Sequence, residues 1–118
     1  MSENLRGKAS LPFKVSLVGD ALGAGVLEGH TRDMRATGLS LVLPDLKVGE
    51  QTLVGEDRLL LVELELPTGT IEMQVAPVRY EQLESAETSE QKYLIGVRIT
   101  EISDSDCVRF VKYLRSLR

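Results

Sequence analysis

Apolar residues recur at every second position in five stretches of this chain. That period is typical of a β-strand with one buried face and one exposed face. The five sets are Phe13, Val15 and Leu17; Leu39, Leu41 and Leu43; Val62, Leu64 and Leu66; Ile71, Met73 and Val75; and Tyr93, Ile95, Val97 and Ile99. A further strand is predicted over residues 26–33, where the chain runs into a polar turn. The sequence therefore predicts a mainly β protein with six strands.

The last segment of the chain has a helical period instead. Ser103 is a typical N-cap residue, and Asp104 and Asp106 follow it in the first turn, where negative charge complements the helix dipole. One stripe of the predicted helix is apolar and consists of Cys107, Phe110, Val111, Leu114 and Leu117. Six strands with short connections and one final helix predict a six-stranded antiparallel (split) β-barrel that is covered by a C-terminal α-helix.

Length and composition predict one domain with a substantial core. The chain has 118 residues, of which 42% are hydrophobic. We predict a flexible N-terminal arm over residues 1–10 and a barrel domain over residues 11–118, either as a whole protein or as a module of a longer one. The sequence has no run of about 18 apolar residues and no signal-peptide core, so we expect a cytoplasmic protein without a membrane span.

Charge and residue types argue against several classes of function. The formal net charge of −4 argues against general binding of DNA or RNA. The one cysteine excludes an internal disulfide and a Cys-rich zinc site, and no cluster of metal ligands is evident. His30 is the only histidine, and no Ser or Cys has an evident base partner. A binding module that has no resident cofactor is therefore favoured over an enzyme.

The turn that follows residues 26–33 carries the most informative polar residues. Asp33 lies between Arg32 and Arg35, and Gly38 follows at the turn exit, where we expect a positive φ. A carboxylate can accept hydrogen bonds from the donor edge of a base, while guanidinium groups bind phosphate. The spacing therefore predicts a site for a small phosphorylated ligand at this turn.

This arrangement resembles the PilZ family, whose domains bind the bacterial second messenger cyclic di-GMP. The family motif is Asp or Asn, any residue, Ser, two residues and Gly. The corresponding segment here is Asp33–Gly38, in which the Asp and the Gly match and Arg35 stands in place of the Ser. The segment Tyr93–Ile99 also looks like the family pattern. The resemblance extends over residues 11–117 and implies the same barrel with a C-terminal helix.

The resemblance also implies which residues contact the ligand. The family carries two arginines, four residues apart, before the first strand. Arg6 corresponds to the first, Ser10 stands at the second, and Lys8 is a nearby cation. The implied ligand contacts are Arg6, Lys8, Arg32, Asp33, Arg35 and Gly38. Arg35 has two opposite interpretations. It supplies a guanidinium group that the arm lacks, or its bulk fills the space that a ligand needs.

Two functions follow from the resemblance. The first is a non-catalytic signalling effector or adaptor that binds cyclic di-GMP, acts through a protein partner and regulates motility or biofilm formation. The second is a degenerate PilZ domain that binds no nucleotide and serves as a protein–protein interaction module. The first predicts a cationic cleft that contains Asp33 and Arg35. The second predicts a salt bridge from Arg35 to Asp33 or Glu28 and an exposed apolar patch elsewhere.

Overall fold

The computed structural model of the protein describes residues 6–18, 25–48, 51–54, 58–83 and 92–117. Nine strands and one helix lie in these ranges. They are β1 (Arg6–Lys8), β2 (Pro12–Leu17), β3 (Leu27–Arg35), β4 (Gly38–Leu43), β5 (Lys47–Val48), β6 (Gln51–Thr52), β7 (Leu60–Leu66), β8 (Gly69–Leu83), β9 (Lys92–Ile102) and α1 (Asp104–Ser116).

Six of these strands form a closed antiparallel barrel. The order is β3, β2, β7, β8, β9 and β4, and β4 pairs with β3 to close the ring. The alternating apolar residues of all six strands meet inside, and Val15, Leu41, Leu64, Ile71 and Ile95 are completely buried. The predicted mainly β fold with a six-stranded barrel and a C-terminal helix is confirmed. The chain therefore removes its sheet edges by closure over most of the barrel.

One feature of the strands differs from the sequence prediction. Arg6–Lys8, which we expected in a flexible arm, form β1 and pair with the end of β3. The chain after Pro44 contains the short antiparallel pair β5–β6. β8 extends to Leu83. Residues 1–5 of the predicted arm lie outside the described residues.

The helix α1 begins and packs as its sequence indicates. The hydroxyl of Ser103 accepts a hydrogen bond from the backbone N–H of Asp106 at 3.2 Å, so Ser103 is the N-cap. Phe110 and Leu114 are buried and belong to the barrel core. The Asp106 carboxylate accepts a hydrogen bond from the backbone N–H of Glu72 in β8 at 3.1 Å. The predicted apolar stripe therefore covers the core beside β8.

Thr31 in β3 holds the short segment between β1 and β2. Its side chain is buried, accepts a hydrogen bond from the backbone N–H of Leu11 at 3.0 Å and donates one to the carbonyl of Ala9 at 2.5 Å. The backbone N–H of Thr31 donates to the carbonyl of Leu11 at 2.9 Å. Since β1 and β2 pair with the same edge of β3, Thr31 fixes the point at which the chain passes from one to the other.

We expect Thr31→Val to lower the free energy of unfolding by about 1–3 kcal/mol, because it leaves the partly buried N–H of Leu11 without its side-chain acceptor. Urea denaturation followed by circular dichroism measures the change. Thr100→Val is the matched control, since the Thr100 hydroxyl also donates to a backbone carbonyl but is exposed. Equal losses in the two variants would contradict a special role for Thr31.

Candidate functional site

A bulge in β3 turns two consecutive side chains toward the outside of the barrel. Thr31 pairs with Leu41 and Met34 pairs with Leu39, so two residues of β3, Arg32 and Asp33, lie opposite Ser40 alone. Thr31 and Met34 point into the core, and the two residues between them point outward. The predicted strand ended at Asp33, where the turn was expected to begin. The strand continues to Arg35, and the turn consists of residues 36 and 37.

The pairing of four strands aligns the outward positions into two rows. In the first row, Asp33 and Arg32 lie opposite Ser40, which pairs with Gly96, which in turn pairs with Arg79. In the second row, Arg35 pairs with Gly38, which pairs with Arg98. The middle of each row consists of small residues, and the ends carry charged ones. Since directly paired residues share a face, the rows form one surface of the barrel.

These rows enclose an open trough on the outer face of the barrel. Its volume is about 630 Å³, which lies within the range of small-molecule sites. Asp33 and Arg35 line one side, Arg79 and Arg98 line the other, and Gly38, Ser40 and Gly96 lie between them. Asp33 and Arg35 therefore border the same space.

Two glycines, Gly38 and Gly96, lie between the two sides of the trough. A Cβ atom at Gly96 would lie 3.2 Å from Cγ and 3.3 Å from Nε of Arg79, so the Arg79 side chain lies across β9 above this glycine. A Cβ atom at Gly38 would collide with the carbonyl oxygen of Val97. The positive φ expected at Gly38 is wrong, since the described glycines with positive φ are Gly25 and Gly69. Gly38 is needed instead because β4 and β9 approach closely there.

The charged groups of the trough suit a compact anion with a hydrogen-bond donor edge. Three arginines and one aspartate are among the residues that line it, which leaves an excess of two formal positive charges. Within the described residues, Arg35 forms no ion pair with Asp33 or with Glu28, which pairs with Lys14 instead at 3.9 Å. The salt bridge that the interaction-module hypothesis predicted is therefore not observed. The Asp33 carboxylate and the arginines can each contact a bound molecule.

Three other predicted site residues, Arg6, Lys8 and Arg32, differ in their position relative to the trough. The backbone of Lys8 pairs with that of Asp33, and the backbone of Arg6 pairs with that of Arg35. The arm positions thus adjoin the trough along β1. Arg32 is exposed and lines a separate cavity beside His30 and Lys92, so the structure does not bring its side chain into the trough.

Arg79 and Arg98 were not predicted as site residues. The alternation of β9 provided a signal for Arg98, because Ile95 and Val97 point inward and Gly96 and Arg98 must then point outward. Arg79 comes two residues after Pro77, and a proline within a strand indicates an edge position or a bulge. The register of β8 shifts between Pro77 and Arg79. What the sequence lacked was the pairing of β4 with β9, which brings these arginines opposite the turn.

In the part of the chain that the structure describes, no group of three or more His, Cys, Asp or Glu residues is arranged to hold a metal ion. None of the helices that the structure describes is long and apolar enough to cross a membrane.

The fold is a small antiparallel barrel with a C-terminal helix, and solved structures identify it further. The PilZ domain of YcgR from Escherichia coli, solved with c-di-GMP, matches with a TM-score of 0.73 and 12% identity over 98% of this chain and 90% of that one. MrkH from K. pneumonia matches with a TM-score of 0.73 and 19% identity, over 98% of this chain and 47% of that one. These likenesses show that the chain has the fold of a PilZ domain.

Other solved structures share this fold but extend beyond it. The inhibitor of motility MotI/DgrA from Bacillus subtilis matches with a TM-score of 0.66 and 16% identity, over 98% of this chain and 49% of that one. The chain thus spans about half the length of MotI and MrkH and most of the YcgR domain. No protein-family model matches the sequence, and no curated protein matches it.

Proposed function

We propose that this chain is a non-catalytic effector domain that binds cyclic di-GMP in the trough. The observation that carries the proposal is that Asp33, Arg35, Arg79 and Arg98 line one cavity. The ligand has two phosphates and two guanines. Two phosphates carry two negative charges, which equals the excess positive charge of the four groups. The solved structure of the YcgR PilZ domain, which has the same fold, contains c-di-GMP.

Each side chain has a role that follows from its chemistry. The Asp33 carboxylate accepts hydrogen bonds from N1–H and N2–H of a guanine, a donor pair that adenine lacks. Arg79 and Arg98 bind a phosphate from the side of the trough opposite to Asp33. The small residues Gly38, Ser40 and Gly96 leave room for the ligand to lie close to the strands. Lys8 and Arg6, whose backbones adjoin β3, supply further cations from the arm.

Arg35 supplies a guanidinium group to the ligand instead of excluding it. The cavity has a volume of about 630 Å³ with Arg35 in its wall, which supports this role over the alternative in which its bulk fills the site. A hydrogen bond to a charged group contributes about 1.5–3 kcal/mol, so one arginine here can offset the energy of the one missing from the arm.

The names of two proteins with the same fold indicate the biological process in which the domain acts. MotI is described as an inhibitor of motility, and MrkH as a c-di-GMP-dependent transcription regulatory factor. We propose that this domain likewise acts in the cytoplasm, where it passes the second-messenger signal to a protein partner that regulates motility or biofilm formation.

Isothermal titration with cyclic di-GMP tests the proposal. We expect the wild type to bind cyclic di-GMP and to discriminate against cyclic di-AMP. Asp33→Ala should weaken binding of cyclic di-GMP by about 10-fold to 100-fold, because it removes a charged acceptor of guanine. Glu63→Ala is the matched control, since it removes the same charge from β7, outside the trough. No heat with the wild type at high micromolar ligand, or equal affinity in Asp33→Ala, would refute the proposal.

A further inference from the structure

A second groove lies on the other side of Arg79 and Arg98. Its volume is about 680 Å³, and it runs between β8 and the segment that leads into β7. Its lining includes three cationic residues and three large apolar or aromatic ones. They are Arg58, Leu59, Val78, Arg79, Tyr80 and Arg98. Leu59 and Tyr80 do not line the trough, so the groove has surfaces of its own.

One edge of β8 beside this groove has no strand partner in the described part of the chain. β7 pairs with β8 only as far as Val75, and from Ala76 to Leu83 the described strand that pairs with β8 is β9. The register shift between Pro77 and Arg79 makes Val78 an extra residue, so both Val78 and Arg79 are exposed. Among the described residues, the eight positions of β8 that β7 leaves unpaired extend about 26 Å at the usual rise of a strand. This length suits an extended chain better than a compact small molecule.

Exposed apolar side chains collect at this edge. Six large hydrophobic residues are exposed in the described part of the chain, and three of them line the groove. The exposed fraction is 67% for Val78, 58% for Tyr80 and 39% for Leu59. Such a concentration of apolar surface is typical of an interaction site when polar residues border it. The groove therefore offers apolar contacts next to its arginines.

The charge of the groove indicates the chemistry of its partner. Arginines line it, Arg79 and Arg98 among them, and none of the lining residues that the structure describes is acidic, although the whole chain carries a net charge of −4. Protein interfaces pair surfaces of opposite electrostatic potential, and arginine binds carboxylates through bidentate hydrogen bonds. The complement of this groove is thus an acidic surface that also presents apolar groups.

We propose that the second groove binds an extended acidic segment of a partner protein. Carboxylates of the segment contact Arg79 and Arg98, and its alternate apolar side chains cover Val78 and Tyr80. The segment lies along the open edge of β8 from Val78 onward, since Pro77 has no backbone N–H to donate. Arg79 and Arg98 line both the groove and the trough, so the proposal is tested without nucleotide.

A fluorescein-labelled decapeptide of alternating Glu and Leu tests the proposal by anisotropy, with the full chain free of nucleotide. We expect it to bind at 50 mM salt and to lose affinity as salt increases. The matching peptide of alternating Lys and Leu should not bind. Tyr80→Glu should weaken binding of the acidic peptide at least tenfold, because it introduces a like charge into the groove. Val108→Glu, which adds the same charge at a 66% exposed residue of α1, should leave binding unchanged.

Three results would overturn the proposal. The acidic peptide fails to bind the wild type, or it binds Tyr80→Glu as tightly as Val108→Glu. Alternatively, the groove takes nucleotide: cyclic di-GMP then binds the wild type at two sites and Tyr80→Glu at one, while the peptide does not bind. Tyr80 is exposed and outside the trough, so Tyr80→Glu is expected to fold, which its circular dichroism spectrum verifies.

Discussion

Arg98→Glu is expected to weaken the binding of cyclic di-GMP by at least 100-fold. Arg98 lies in the second row of the trough, opposite Gly38, and its side chain is exposed on the outer face of β9. The change removes a charge-assisted contact worth about 1.5–3 kcal/mol and adds a carboxylate that repels the phosphate. A loss of about 3 kcal/mol corresponds to a factor of more than 100 in affinity. Isothermal titration of the purified variant measures it.

Arg109→Glu provides the control for this change. It is an identical reversal of charge at an exposed residue of α1, outside the trough. The total charge of the two variants is the same, so a non-specific electrostatic effect would weaken both equally. If Arg98→Glu retained wild-type affinity while Asp33→Ala lost it, the ligand would occupy only the β3 side of the trough, and the role assigned to Arg98 would be wrong.

Phe110→Ala is expected to lower the free energy of unfolding by about 3–5 kcal/mol, which is a large part of the stability of a domain of this size. The Phe110 side chain is 1% exposed, belongs to the barrel core and is among the largest fully buried side chains. Its removal would leave a cavity where α1 covers the barrel. Urea denaturation followed by circular dichroism measures the change.

Val108→Ala distinguishes packing from helix propensity in this experiment. Val108 lies two residues earlier in the same helix and is 66% exposed, so its truncation should alter stability by no more than about 0.5 kcal/mol. A small loss in Phe110→Ala, similar to that in Val108→Ala, would mean that α1 does not seal the core. The helix would then be an appendage of a barrel that is stable without it.

The barrel was largely predictable because burial on one face leaves a period of two in each strand. Ile71, Met73 and Val75 point inward as expected, and the bulge indicated by Pro77 is present. β1 was missed because Arg6–Lys8 contain no apolar residue that would mark a buried face. Its pairing with β3 depends on backbone hydrogen bonds and on the buried Thr31, neither of which leaves a hydrophobic pattern.

The candidate site was predictable only on the side where its residues are close in sequence. Asp33 and Arg35 were assigned from one short segment, and both line the trough. Arg79 and Arg98 come from β8 and β9, and only the three-dimensional pairing of strands brings them opposite that segment. Gly38 was assigned for the wrong reason, since the close approach of Val97 depends on a strand 59 positions away.

The bulge at Arg32 and Asp33 affects how the chain can change in length. In a regular strand, the loss of one residue reverses every later side chain, so that core residues would face water. Here β3 has one more residue between Thr31 and Met34 than β4 has between Leu41 and Leu39. A deletion of Arg32 would restore simple alternation, with Thr31 and Met34 still inward and Asp33 still outward. This is therefore a point in β3 where evolution can shorten the protein by one residue without rebuilding its interior.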